Sequence, residues 1–510
     1  MDDDTGDPQP VSEMAGRRGA LVGGLWNAAQ MVLPLLGTTA LSIVLGRVLG
    51  PDLLGEQSLI SYSEALLAGV LVMSLQTATL QVMSVSVGSR QAATASTYAW
   101  WGMIGQVVNG LLSAAILIGV GLTTDYTWAW ILAGITGFIN AVGWGYATRV
   151  IAHSGTWTSV ASRRLWTQLL GQLVAAIAVL LGAGLNAVFA ANLISAVVLV
   201  SLIRRLVPAE AARERFFPKE LMRLWSLFLL RAVLLQVVAQ RVEFLFLAAY
   251  STPDQIAMYS IPFMVVTAAV LVPSSIITAG MPAMAAREGA GQSEQVAEHL
   301  GSAVRVTVAA SIPLALGLAA LGPSLIVVLY GSEYVEAGQL LAWMSPLVLV
   351  LPAAAVCETY WYGIAALRTP LITATIAAVI DLALSFALIP RFDALGAAWA
   401  NLGGQGAGAL LLLLATRRRR RTVYLAWSHT VITFLAMSVV ALAAWWATTA
   451  LSGVWGLLAG IAVGLVGCLA YGRVMGFFRP QEAMWLAETL PHRLHRFLPL
   501  LTGKAQIDLS

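Results

Sequence analysis

Six ionisable side chains stand inside long apolar stretches of this 510-residue chain: Glu64, Arg231, Arg241, Glu243, Glu358 and Asp381. If those stretches cross a membrane, such charges are expensive to hold and mark binding or transport positions. Arg231 and Arg241 suit an anionic ligand, because a guanidinium stays charged and offers forked hydrogen bonds to phosphate. Glu64, Glu358 and Asp381 are candidates for ion coupling, holding H⁺ or Na⁺ as the counter-charge that a buried carboxylate needs. Each charge also has a plainer reading. An arginine can pair across helices with Glu64, Glu358 or Asp381, and a carboxylate can serve as a structural hydrogen-bond acceptor.

Residues 231–243 concentrate this chemistry. Gln236, Gln240 and Glu243 follow i, i+4, i+7 spacing and on one helix would form a polar stripe that lipid penalises. Arg241 would lie about 160° around that helix from Glu243, so the two could not pair directly. Arg231, Gln236, Gln240, Arg241 and Glu243 are therefore the expected substrate-binding residues of a cavity. No residue is assigned a catalytic role, and no metal site or cofactor is expected. The two cysteines, Cys357 and Cys468, fall within apolar runs and read as packing residues.

The elements that must position these groups follow from composition. Hydrophobic residues make up 59% of the chain and charged residues 11%, against about 25% charged in a soluble domain. The apolar runs mostly reach the roughly 20 residues that a helix needs to cross a bilayer, so the expected fold is an all-α polytopic membrane protein. About fourteen transmembrane helices are expected, with spans near 19–48, 54–86, 93–121, 126–150, 158–182, 185–204, 223–250, 255–284, 301–330, 338–366, 370–390, 394–416, 424–449 and 453–476. Of the 29 Lys and Arg residues, all but Arg47, Arg231, Arg241 and Arg391 fall on one set of alternate loops and tails. That bias places both termini in the cytoplasm. It also explains the basic balance, the five arginines at 417–421 included, without nucleic acid as a partner. The acidic residues before Arg17 and Arg18 form a tail. The segment 477–501 reads as a broken interfacial helix, and Trp128, Trp130, Trp445 and Trp446 read as interface anchors.

A short motif recurs. Pro51, Asp52 and Ser58 match Pro253, Asp254 and Ser260 at a constant offset of 202, each copy joining the first and second helix of a block. Six spans separate the copies, so both have the same orientation. Two parallel six-helix lobes are expected, 19–205 and 223–416, related by an axis along the membrane normal. The charged segment 206–222 joins them. A basic loop with two extra helices (417–476) and a tail (477–510) follow.

Three stretches resemble a known family: "NAAQMVLPLLGTTALSIVLGRVLGPDLLG" from Asn27, "LYGSEYVEAGQLLAWM" from Leu329 and "ALIPRFDALGAAWAN" from Ala387. They are similar to the polysaccharide transporter branch of the multidrug/oligosaccharidyl-lipid/polysaccharide exporter superfamily, which includes the Wzx-type flippases and is related to the lipid II flippases. The resemblance implies a two-lobed, V-shaped transporter in the inner membrane. Its cargo would be a polyprenyl-pyrophosphate-linked oligosaccharide, moved without ATP hydrolysis, with the bilayer and the polysaccharide polymerase machinery as partners. A lipid II flippase or a multidrug exporter would share the same fold. An enzyme would need catalytic groups on a sizeable outer loop, and the outer loops are short. The glycines of "GGQGAG" at 403–408 lie inside a span, where they read as helix-packing residues rather than a phosphate loop.

Overall fold

The computed structural model describes residues 13–154, 157–208, 212–239, 242–278, 293–364, 366, 368–420, 427–451, 453–479 and 482. These are helical almost throughout, with no strand among them. The passages run Glu13–Leu67 with Met73–Gly88, Ala92–Gly121, Thr127–Ser154, Thr158–Leu180, Gly184–Arg204, Lys219–Ala239 with Glu243–Tyr250, Pro253–Thr278, Ser293–Tyr330, Val335–Met344 with Leu347–Gly363, Arg368–Arg419, Trp427–Ala450 and Gly453–Val474. Two of the long helices hold two spans each, joined at single residues: Gly50, with φ at 80°, and Asp393, with φ at 47°. Glycine tolerates that conformation freely, whereas Asp393 is held in it by the Ser251 hydroxyl, which donates to its carboxylate at 2.6 Å. Counted in this way, the described residues hold fourteen spans.

The surface is inverted relative to a soluble protein. On Thr158–Leu180, Leu170, Leu173, Ile177 and Leu180 point outward, while Thr167, Gly171, Ala175 and Val179 are buried. Lipid is as apolar as leucine, so association rests on small residues that allow close approach and on interhelical hydrogen bonds. Eight helices are long and apolar enough to cross a membrane by composition alone. Thr127–Ser154, Thr158–Leu180 and Lys219–Ala239 fall outside that set because they carry Asn140, Arg164, Gln168 and Arg231 inward of their ends.

Two irregularities matter for function. The second span contains a π-helical turn at Ala68–Val72, and two of the carbonyls there are capped by the third span: Asn109 donates to Leu71 O at 2.8 Å and Gln106 to Val72 O at 3.0 Å. The tenth span bends by 49° around Ser345 and Pro346.

Helices of the first lobe pack among themselves, and Trp427–Ala450 and Gly453–Val474 pack on each other and on Ser293–Tyr330. The connecting segment is fastened to the first lobe. Thr97 and Glu214 exchange hydrogen bonds at 3.0 Å, and Trp101 donates to Phe216 O. Two sequence expectations are corrected here. Trp130 is no interface anchor: it is buried, and its Nε1 donates to Glu56 Oε1 at 3.0 Å. Phe477 and Phe478, expected at the interface, are buried against Val306, Ile312 and Tyr471. The remainder of that tail, 483–510, and the acidic tail before Glu13 lie outside the described residues.

Candidate functional site

The lobes meet at the face opposite the arginine-rich loops. Ser58 and Ser260, the matching members of the repeated motif, share a hydrogen bond of 3.2 Å. Gly55 lies so close to Pro253 that a Cβ there would fall 1.6 Å from its carbonyl oxygen. Tyr330 donates to Ser42 and Tyr334 to Gly46 O, both at 3.1 Å. Arg47 spans the same seam, donating to the carbonyls of Leu329, at 2.6 Å, and Val328. Below it Tyr62, Phe244 and Tyr259 stack with centroids 5.1 and 5.6 Å apart. This end of the interlobe space is sealed.

Two of the expected carboxylates are brought together in the second lobe. Glu243 and Asp381 are both buried and interact electrostatically. Asn401 donates to Glu243 Oε1 at 2.6 Å, Gln405 donates to Asn401 Oδ1 at 3.2 Å, and the Ser385 hydroxyl makes a long contact of 3.5 Å with Asp381. Gly404 makes this possible, since a Cβ there would meet Asp381 Cβ at 2.4 Å. Gly403 and Gly408 approach Leu384 and Ala377 in the same way, so these glycines serve helix packing as expected. Two like charges in one buried space need a counter-ion or a shared proton.

Glu358 joins a different group. Tyr362 Oη donates to Glu358 Oε1 at 2.5 Å, and Arg231, whose surface is open, lies within hydrogen-bonding reach of Tyr362. Tyr360 and Trp361 are buried: Arg420 donates to Tyr360 Oη at 2.9 Å and Trp361 to Thr416 at 2.8 Å. The side chain of Gln236, and Gln240 and Arg241 entirely, lie outside the described residues. Among the described residues no cluster of His, Cys, Asp and Glu could hold a metal ion.

Glu64 stands apart from all of these, in a polar cavity of about 310 Å³ walled by spans one, two, four, five and six. Asn140 donates to it at a long 3.4 Å, and Arg164 acts on it electrostatically while lying 4.4 Å over the Trp144 ring. Charge counting assigned Arg164 to a loop. It sits six residues into Thr158–Leu180, deep among the spans yet with its surface open to the cavity. The signal that could have found it is the spacing of Arg164, Gln168 and Gln172, a polar stripe at i, i+4, i+8. A second cavity, about 500 Å³ and almost wholly apolar, lies between spans nine, ten, twelve and thirteen with Arg417 on its lining.

Two bundles sealed together at one face, with polar groups buried in each, define a two-lobed membrane transporter. Solved transporter structures share this fold. The chain superposes on the lipid II flippase MurJ in an inward closed conformation with a TM-score of 0.69, at 15% identity over 88% of this chain and 98% of that one. An inward-facing multidrug transporter of the MATE family gives 0.62 at 13% identity, covering 78% and 98% of the two chains. An outward-facing one gives 0.55 at 14% identity, covering 78% and 95%. No curated protein matches the chain. The model of the lipid II flippase MurJ family matches residues 165–464, more than half of the sequence. The chain belongs to that family, a family of flippases rather than enzymes. The family that matches is thus that of the lipid II flippases, whereas the resemblance of the three motifs to the polysaccharide branch gains no specific support.

Proposed function

We propose that this chain carries a polyprenyl-pyrophosphate-linked saccharide, with lipid II as the cargo, from the inner to the outer leaflet of the cytoplasmic membrane by alternating access. Family membership over residues 165–464 is the observation that carries the reading. The sealed Ser58–Ser260 face supports an inward state if the arginine-rich loops are cytoplasmic, as the positive-inside bias predicts. Arg231, open and within hydrogen-bonding reach of the Tyr362 hydroxyl, is our candidate for holding pyrophosphate, with Arg241 as its expected companion. The buried Glu243–Asp381 pair takes the coupling ion, H⁺ or Na⁺. The apolar cavity beside Arg417 suits a prenyl chain.

The test is a lipid extract from a strain depleted of the protein, analysed by mass spectrometry. Accumulation of lipid II on the cytoplasmic side, with loss of peptidoglycan synthesis, is the expected result. Accumulation of a different lipid-linked oligosaccharide, with loss of one surface polymer, would instead assign the chain a polysaccharide unit. Unchanged lipids with altered drug sensitivity would overturn the flippase reading.

A further inference from the structure

The first-lobe cavity around Glu64 is lined largely by uncharged polar side chains. We propose that it is a subsite for an uncharged saccharide ring, the sugar end of the cargo; the inference rests on the flippase reading and goes beyond it by locating where the sugar is held.

Three observations converge. The first is the lining itself: Gln57, Asn140, Gln168, Gln172 and Asn192 contribute five side-chain amides to one cavity, with five Ser and Thr residues beside them. An amide offers donors and an acceptor at once, as does a sugar hydroxyl, so amide-rich walls can satisfy a polyol in many orientations. None of the five is fully buried within the protein, so each presents polar surface that lipid would penalise and a polar occupant can satisfy.

The second is unused hydrogen-bonding capacity. Arg164 forms no ion pair among the described residues, its planar group resting on Trp144 instead. Glu64 has the single long bond from Asn140. Donors and acceptors are therefore both available on facing walls.

The third is charge. Among the described residues Glu64 and Arg164 are the only ionisable ones on the lining, and they cancel. Pyrophosphate would face Glu64 and gain nothing net; a cation would face Arg164. A neutral ring with several hydroxyls can bridge the two, accepting from Arg164 and donating to Glu64. The volume, about 310 Å³, lies at the low end of the roughly 300–1,000 Å³ of small-molecule sites and admits one or two sugar rings. The π-helical turn that begins four residues after Glu64 is the kind of irregularity that accompanies functional positions.

The experiment compares two ligands on the purified full chain in lipid nanodiscs: lipid II, and polyprenyl pyrophosphate without sugar. Binding is measured for the wild type and for Asn140→Ala, Gln172→Ala and Arg164→Gln. The wild type is expected to bind lipid II more tightly than the bare lipid, and each variant to lose about tenfold of lipid II affinity while keeping its affinity for polyprenyl pyrophosphate. Retained binding of the bare lipid reports that the variant is folded; a variant that binds neither is replaced by Asn140→Ser or Gln172→Asn. Equal wild-type affinity for the two ligands, or an unchanged preference in all variants, would overturn the subsite and leave the flippase reading standing. A wild type that binds neither ligand would overturn both.

Discussion

Ser58 and Ser260 hydrogen-bond to each other at 3.2 Å, although 202 residues separate them. They occupy the same step of the two copies of one short motif, and only residues near the axis relating two repeats can meet their own counterparts. The contact therefore places the axis at the sealed face, between the second and eighth spans.

Replacing Ser58 and Ser260 by cysteine, with Cys357 and Cys468 changed to serine, should give an oxidisable pair across this seam. Oxidation is expected to trap the sealed state and abolish transport, and reduction to restore it. Transport at full rate by the oxidised protein, with cross-linking verified by mass, would show that the lobes do not separate here.

Arg47 holds the seam through backbone carbonyls on the ninth span, so a lysine cannot reproduce its two-donor geometry. Arg47 is exposed, which limits its worth to about 1 kcal/mol, or about a fivefold shift toward the form open at this face. Thiol-reactive labelling of a cysteine at Ser42 should rise accordingly in Arg47→Ala and in Arg47→Lys. Equal labelling in the wild type and both variants would remove Arg47 from the seal.

Asp381→Asn removes one of two adjacent buried carboxyls while keeping the volume. Without added ion the variant should melt at or above the wild-type temperature, because like-charge repulsion is relieved. An ion at 100 times its Kd stabilises the folded state by about 2.7 kcal/mol. Na⁺ should therefore raise the wild-type Tm and leave the variant unmoved if Na⁺ is the coupling ion. If neither responds to Na⁺ but transport by the wild type alone follows the proton gradient, the pair carries H⁺.

Arg305 and Glu482 form a buried ion pair of 2.7 Å that ties the ninth span to the segment after the last span. Breaking one partner of such a pair costs about 3–5 kcal/mol, whereas removing both is far milder. Glu482→Leu should thus lower the Tm clearly, and Arg305→Leu combined with Glu482→Leu should recover most of the loss. A double variant as unstable as the single one would mean that the segment is held by Phe477 and Phe478 rather than by charge.

Gly403, Gly404 and Gly408 show how sequence and structure divided the problem. Their place inside an apolar run already excluded a phosphate loop, since a loop of that kind needs to face water. That Gly404 exists to let Asp381 approach was not legible, because proximity between the eleventh and twelfth spans is a tertiary fact. Arg164 shows the opposite case. Its charge fitted the loop bias so well that the polar stripe it begins, through Gln168 to Gln172, went unread.

Composition, span length and charge bias determined the fold class, the number of spans and the pairing of lobes, because a bilayer leaves so few solutions for the backbone. Which charges face each other was decided only by tertiary structure. Helical periodicity fixes directions along one helix but not which helices come to face each other. Glu243 faces Asp381 and accepts from Asn401, on spans more than a hundred residues away, and no local spacing encodes that.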